Sequence, residues 1–329
     1  MMGYTFISIL KNEMASFMNI LKLSALATET FMKYQSTLCN FDSFLHAQGL
    51  TVKKLGAEQV KRWLDGFYVS AATKNNKLSR IRRFSRHLAT LGITAALPEM
   101  PRKTHDYAPY AFTMDEMDRI FEAADDLLLY YSHSRKAAEF PVLLRLLYGC
   151  GLRIGEAIAL TWNDINLSAG VITVKTGKNR KQRIVPMCDE LARILTLYRA
   201  APCSNAQNCA PLFKHNDGRA RSATAYWKMF HLILCELGIK NAQTAKCRSP
   251  GPCIHSLRHT FTLHSLLKAE TEGREFMDTV PFLSTYLGHA GLMETDKYLQ
   301  ARYELYINAH AVMENYTRDV FPEDENDGV

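Results

Sequence analysis

The chain has 329 residues, 47% apolar and 22% charged, the balance of a soluble globular protein long enough for two cores. No run of about 18 apolar residues occurs, which excludes a membrane-spanning helix, and the start from Met1 to Leu21 is broken by Lys11, Asn12 and Glu13, unlike a secretory leader. The net charge of +7 is concentrated: residues 1–108 hold 15 Lys/Arg against 7 Asp/Glu, and the remainder holds 25 against 26. A basic N-terminal third suits a polyanion such as the DNA backbone, although a solvated lysine-rich face gives the same count.

The first hundred residues read as helical. Phe31, Tyr34, Leu38, Phe41 and Leu45 recur at helical spacing and stop at Gly49. A helix is expected over Glu58 to Val69 and a longer one over Thr73 to Leu91. The latter carries Leu78, Ile81, Phe84, Leu88 and Leu91 on one face, with Gly92 as its stop. Its other face bears Lys74, Lys77, Arg80, Arg82, Arg83 and Arg86, the best candidates for DNA contact. Pro98, Pro101 and Pro109 mark residues 97–111 as a linker between a helical domain (1–108) and a second domain (112–329).

The second domain opens on Thr113-Met-Asp-Glu116, a capping box. Phe140 to Tyr148 is a buried helix ending at Gly149-Cys150-Gly151, and Arg153 begins the next helix, Ile154 to Leu160. The period then changes. Gly170 to Lys175 and Gln182 to Met187 form a β-hairpin with Lys178, Arg180 and Lys181 at its tip. Helices resume after a loop around Pro202 to Pro211; Tyr303 to Val320 is one more helix, and Pro322 to Val329 an acidic tail.

Eight cysteines accompany no secretion signal, so reduced cytosolic thiols are the expectation. Cys203/Cys209 and Cys247/Cys253 repeat one gap, wider than the usual spacing of zinc ligands. A structural zinc or redox link is the alternative to ordinary cysteines; no metal is expected.

Arg153 and Arg258 are candidate phosphate clamps, because a guanidinium fork pairs two phosphate oxygens at once. His255 stands three residues before Arg258, within one helical turn, where an imidazole can move a proton. Lys178 is a cation able to protonate a leaving oxygen. His289, after Gly288 at an expected helix start, can donate to a phosphate oxygen, and Tyr298 is a candidate nucleophile. Each alone is weak: Arg153 can be a structural partner of Glu156, and any tyrosine can be packing.

Together, Gly-Leu-Arg153-Ile-Gly-Glu156, the Lys178 hairpin ending in Ile-Val-Pro186, His255-Ser-Leu-Arg258-His259, Leu-Gly-His289 and Tyr298 resemble the tyrosine recombinases, the class of phage integrases, transposon integrases and Xer-type enzymes. The motifs span roughly Phe112 to Tyr316, and the first domain matches by character only. The resemblance implies a mixed, mainly α fold: a helical core-binding domain beside an α+β catalytic domain with a small antiparallel sheet, the DNA breaking-rejoining fold. It implies that Tyr298 attacks a scissile phosphate to give a 3′-phosphotyrosyl link, with exchange through a Holliday junction and no ATP, metal or cofactor. Arg153 and Arg258 would bind the phosphate, Lys178 would be the general acid, His255 would assist proton transfer or hold the phosphate, His289 would stabilise the transition state and Glu156 would orient the arginines. His259 is expected to be structural.

The implied partners are double-stranded DNA with inverted-repeat core sites, further copies forming a tetramer through the C-terminal helix, and accessory or sister recombinases, with no membrane. The implied location is a prokaryotic cytoplasm, on the nucleoid. Residues 270–277 read as an insertion, Lys175 and Lys181 compete with Lys178, and nothing resembles a separate arm-binding module. A topoisomerase of the same chemistry and a catalytically silent DNA-bridging protein are the alternatives.

Overall fold

A computed structural model describes residues 5–24, 26–101, 110–130, 134–175, 182–201, 209–215, 217–240 and 251–288. The chain divides into two compact units, Met1–Asp106 and Tyr107–Val329. The expected linker falls largely on residues outside those described.

The first unit contains α1 (Lys11–Leu23), α2 (Thr28–Ala47), α3 (Ala57–Asp65) and α4 (Ala71–Thr90). Their apolar stripes meet in one core: Met14, Phe17 and Leu21 from α1, Leu38, Phe41 and Leu45 from α2, Val60 and Trp63 from α3, and Leu78, Ile81, Phe84 and Leu88 from α4. The stop of α4 is the one expected. Gly92 adopts φ +74°, which lets its N–H reach the Ala89 carbonyl and the Ile93 N–H reach the Leu88 carbonyl, a paired closure of the helix end. Two expectations need correction. Leu91 lies beyond the buried stripe and is exposed, because it caps the helix. The helix expected to run to Val69 ends at Asp65, where the Gly66 N–H closes on the Arg62 carbonyl and the chain turns.

The second unit begins with α5 (Met114–Tyr130). The capping box is formed: the Thr113 N–H donates to Glu116 Oε2 at 2.9 Å, and the Glu116 N–H to Thr113 Oγ1 at 3.1 Å. Next come α6 (Arg135–Gly149), α7 (Ile154–Ile158), a 3-10 turn at Trp162–Asp164, strands β1 (Ile165–Asn166), β2 (Val171–Val174) and β3 (Arg183–Pro186), then α8 (Asp189–Ala200), α9 (Ala223–Glu236), α10 (Ser256–Thr271) and α11 (Phe276–Leu287). The sheet is antiparallel in the order β1-β2-β3. The hairpin strands were legible; β1 was not, because two residues are too short to show alternation.

Helix α7 stops two residues short of the expected Leu160. The Leu160 carbonyl accepts from the Leu212 N–H at 2.8 Å, so a long-range pairing draws the chain out of helix. A buried polar knot ties α6 to α9: Glu139 accepts from Tyr226 Oη at 2.7 Å, Arg221 Nε at 2.8 Å and the Lys214 N–H at 3.0 Å. Burial of this carboxyl group is tolerated because both of its oxygens accept hydrogen bonds. No helix of the described residues is long and apolar enough to cross a membrane. Residues 270–277 coincide with the end of α10, the turn after it and the first residues of α11. The expected C-terminal helix and acidic tail lie outside the described residues.

Candidate active site

Gly151, with φ +57°, turns the chain at the end of α6 so that Arg153 becomes the N-cap of α7. The α7 helix is short, and its third residue, Glu156, folds back to accept from the Arg153 N–H at 3.0 Å. The same carboxylate binds Arg153 Nη1 at 3.0 Å. The expectation that Glu156 partners Arg153 is met, and the pair is part of something larger.

Arg258 sits in the first turn of α10 and is 2% exposed. Its Nη1 donates to the Gly151 carbonyl at 2.7 Å and its Nη2 to the Leu287 carbonyl at 2.8 Å. These bonds fix the plane of the fork against the α6–α7 turn on one side and the end of α11 on the other. Nη1 also lies 3.9 Å from Glu156 Oε2.

A third arginine joins them. Arg183, at the start of β3, pairs both oxygens of Glu156, with Nη1 to Oε1 at 3.1 Å and Nη2 to Oε2 at 2.8 Å. Among the described residues, three guanidiniums therefore gather on one carboxylate. Burial pushes the Glu156 carboxyl up, but hydrogen bonds and charge from Arg183 and Arg153 outweigh it, and the net shift is down. Glu156 is an anion at neutral pH. Arg183 was missed as a site residue because it stood beside three hairpin cations and read as one more solvated charge. The available signal was the strand period: Arg183 shares a face with buried Val185, and an inward arginine needs a carboxylate.

His255 caps α10 with helical backbone angles, one turn before Arg258. The residue is exposed at the surface of the unit, with the two arginines of the cluster close by. Desolvation, then the charges of Arg258 and Arg153, push its pKa down to about 4, with Glu156 pulling the other way. The imidazole is thus neutral at pH 7 and able to accept a proton. Its ring meets His259 edge-on with centroids 4.8 Å apart, which gives His259 a packing contact in keeping with a structural role.

A pH dependence follows. The folded pKa lies below the ordinary 6.5, so the unfolded chain takes the proton first as pH falls. The contribution to stability is complete above pH 6.5 and lost between 6.5 and about 4. His87 and His264 are shifted the same way by burial, so His255→Gln isolates the effect. In thermal unfolding, that variant is expected to flatten the fall in midpoint between pH 6.5 and 4. An unchanged slope, or an imidazole NMR titration centred at 6.5, overturns the assignment.

The other expected site residues are placed as follows. Lys175, a competitor for the general-acid role, is committed to Asp164 Oδ1 at 2.5 Å. Lys178, Arg180, Lys181, His289 and Tyr298 lie outside the described residues. Gly288 ends α11 in the left-handed conformation, φ +66°, so Leu287-Gly288 is the stop of one helix; the helix start expected at His289 lies outside the described residues. Helix ends recruit such a residue because only glycine enters that region without strain.

In the first unit, the basic face of α4 is partly engaged with its own domain. Lys77 Nζ stands 4.2 Å from the Phe67 ring centroid, Arg80 donates to Thr37 Oγ1 at 3.0 Å, and Arg83 lies over the Tyr34 ring. Arg82 donates to the Pro98 carbonyl. Lys74 is half-buried, while Arg83 and Arg86 remain exposed. Among the described residues no His, Cys, Asp or Glu cluster could hold a metal ion; Cys209 and Cys253 are free thiols, and Cys203 and Cys247 lie outside.

Comparison with known proteins settles the lineage of this arrangement. The model of the phage integrase family matches residues 111–304, the stretch that contains the arginine cluster. The chain belongs to the phage integrase family. A putative integrase/recombinase from Sinorhizobium fredii is 28% identical over 74% of this chain and 78% of its own length. The tyrosine recombinase XerC of Staphylococcus carnosus is 27% identical over 90% of this chain and 96% of its own. Two solved structures share the fold. XerH bound to a palindromic difH substrate after cleavage superposes with a TM-score of 0.64 at 18% identity, covering 87% of this chain and 80% of that one. The Tn1549 transposon integrase with a circular intermediate DNA gives 0.63 at 16%, covering 90% and 98%. The chain is accordingly an enzyme of the tyrosine-recombinase type, and the mainly helical architecture with one small antiparallel sheet is that of the integrase family.

Proposed function

We propose that this integrase-family enzyme is a site-specific DNA strand transferase. Tyr298 attacks the scissile phosphate, expels the 5′ oxygen and forms a 3′-phosphotyrosyl ester. The freed 5′-hydroxyl of a partner duplex reverses the attack, and two rounds of exchange pass through a Holliday junction. The ester retains the bond energy, so no ATP is required. The observation that carries this reading is the convergence of Arg153 and Arg258, from different helices, on the Glu156 carboxylate beside a neutral imidazole. Two such forks suit the non-bridging oxygens of a phosphodiester.

Arg153 and Arg258 bind the phosphate, and His255, neutral before DNA arrives, accepts the tyrosyl proton or holds a phosphate oxygen. Lys178 protonates the leaving oxygen, and His289 donates to the transition state. Lys74, Lys77, Arg80 and Arg83 of the first unit, with Arg180 and Lys181 of the hairpin, contact DNA. That unit is the core-binding domain and the second the catalytic domain. The active assembly is a tetramer on inverted-repeat core sites, joined through the C-terminal segments.

The test begins by recovering the binding site from random duplex DNA by selection. A suicide duplex nicked beside the cleavage point then traps the covalent adduct. Mass spectrometry of the adduct is expected to place the nucleotide on Tyr298. A nucleotide on any other residue, or salt-sensitive binding with no adduct on any substrate, overturns the reading.

A further inference from the structure

Arg183 lies on the return strand of the hairpin and has no role among the expected site residues, yet it is built into the centre of the arginine cluster. Its side chain is 12% exposed. Two of its N–H groups are spent on Glu156, and Nε donates to the Tyr286 carbonyl at 2.9 Å, in the last turn of α11. The helix end closes down on it: a Cβ added at Gly288 would stand 3.2 Å from Nη1 and 3.3 Å from Cδ. A guanidinium with all three nitrogens engaged by protein is placed to fix a neighbour.

That neighbour is Glu156. Its Oε1 is shared between Arg183 and Arg153, and its Oε2 between Arg183 and the Arg153 N–H, with Arg258 3.9 Å away. A buried carboxylate must be neutralised, and it takes whichever cation is offered. Without the Arg183 fork, Glu156 has, among the described residues, the cations Arg153 and Arg258 to turn to. A carboxylate that claims a phosphate clamp competes with the phosphate. The bidentate pair keeps both oxygens of Glu156 occupied and in one plane, so Arg153 touches the carboxylate through Nη1 in a fixed direction.

We infer that Arg183 is a positioning residue of the strand-transfer reaction, setting the orientation of the Arg153 guanidinium through the carboxylate they share. The inference rests on the proposed role of Arg153 as a phosphate clamp. A merely stabilising pair would affect unfolding and leave the charge dependence of cleavage unchanged. A positioning role affects the step at which phosphate charge is neutralised.

The experiment compares single-turnover cleavage of two nicked duplexes. One has an ordinary scissile phosphodiester; the other has a methylphosphonate there, in which a methyl group replaces one non-bridging oxygen and removes the charge. A defect in charge neutralisation is reduced on the neutral ester. Arg183→Met and Arg183→Lys are expected to slow cleavage of the phosphodiester by about 10- to 100-fold, the range seen when a group that orients a ligand is removed. On the methylphosphonate the loss shrinks to a few-fold, with DNA affinity maintained. Arg153→Ala is the control and shows the same suppression. Equal losses on both duplexes for the Arg183 variants, with Arg153→Ala suppressed, overturn the inference alone. Equal losses for Arg153→Ala overturn the clamp assignment and the inference with it. Arg183→Lys keeps the charge without the fork, so the comparison stands even where Arg183→Met folds poorly, and thermal unfolding of both variants identifies that case.

Discussion

Arg258→Ala is expected to lower single-turnover cleavage of a nicked duplex by at least about 10²–10³-fold, the effect of removing a pre-set donor from a developing anion. DNA affinity should fall far less, because binding is spread over many backbone contacts. The size of the effect comes from the burial of the group. Its bonds to the Gly151 and Leu287 carbonyls hold the fork before any substrate arrives, so no reorganisation is needed during reaction. The substitution also removes the donor that Arg258 supplies to each of two buried residues' carbonyls, at about 1–3 kcal/mol each, so the unfolding midpoint falls as well. Arg258→Lys separates the two effects. It keeps the charge but presents no planar fork, and it should restore part of the midpoint while restoring little cleavage. Cleavage by folded Arg258→Ala within about tenfold of the parent would remove this residue from phosphate binding.

The second large effect is on stability. Gly151→Ala is expected to destabilise the second unit by roughly 2–4 kcal/mol, combining a left-handed backbone that disfavours a side chain with overpacking. The new Cβ would stand 2.5 Å from Phe261 Cδ1 and 2.9 Å from Leu287 Cδ2. Neither neighbour yields easily: Phe261 stacks on Tyr286 at 5.5 Å, and Leu287 is wholly buried. For a unit of this size the midpoint should drop by roughly 4–16 °C in a thermal scan. An unchanged midpoint would show that the α6–α7 turn is looser than its packing implies. Cleavage should fall too, because the Gly151 carbonyl anchors Arg258.

The sequence carried most of this architecture where local chemistry decides it. Thr113 and Glu116 announced the start of α5, Gly92 the stop of α4, and the β-branched runs around residues 171–174 and 183–186 the hairpin. Arg153, Arg258 and their shared partner Glu156 were also legible, because the motifs order them along the chain. What escaped was decided by contacts distant in sequence. Helix α7 is cut short by Leu212, fifty-two positions after the Leu160 carbonyl it binds. The strand β1 exists only as a partner for β2. Arg183 is distinguished from the other hairpin cations by Glu156, twenty-seven residues earlier, and by Tyr286, more than a hundred later. The ion pair of Lys175 with Asp164 is another such contact, made across eleven residues.

The last turn of α11 offers its carbonyls to two arginines: Tyr286 to Arg183 and Leu287 to Arg258. Those carbonyls form the electronegative end of the helix, so each bond gains from the peptide dipoles stacked behind it. The mechanical result is a tether. The end of α11 and the two guanidiniums are linked by these bonds, and Arg183 fills the space that a side chain at position 288 would need. A displacement of the end of α11 would therefore pull on both guanidiniums and, through them, on Glu156.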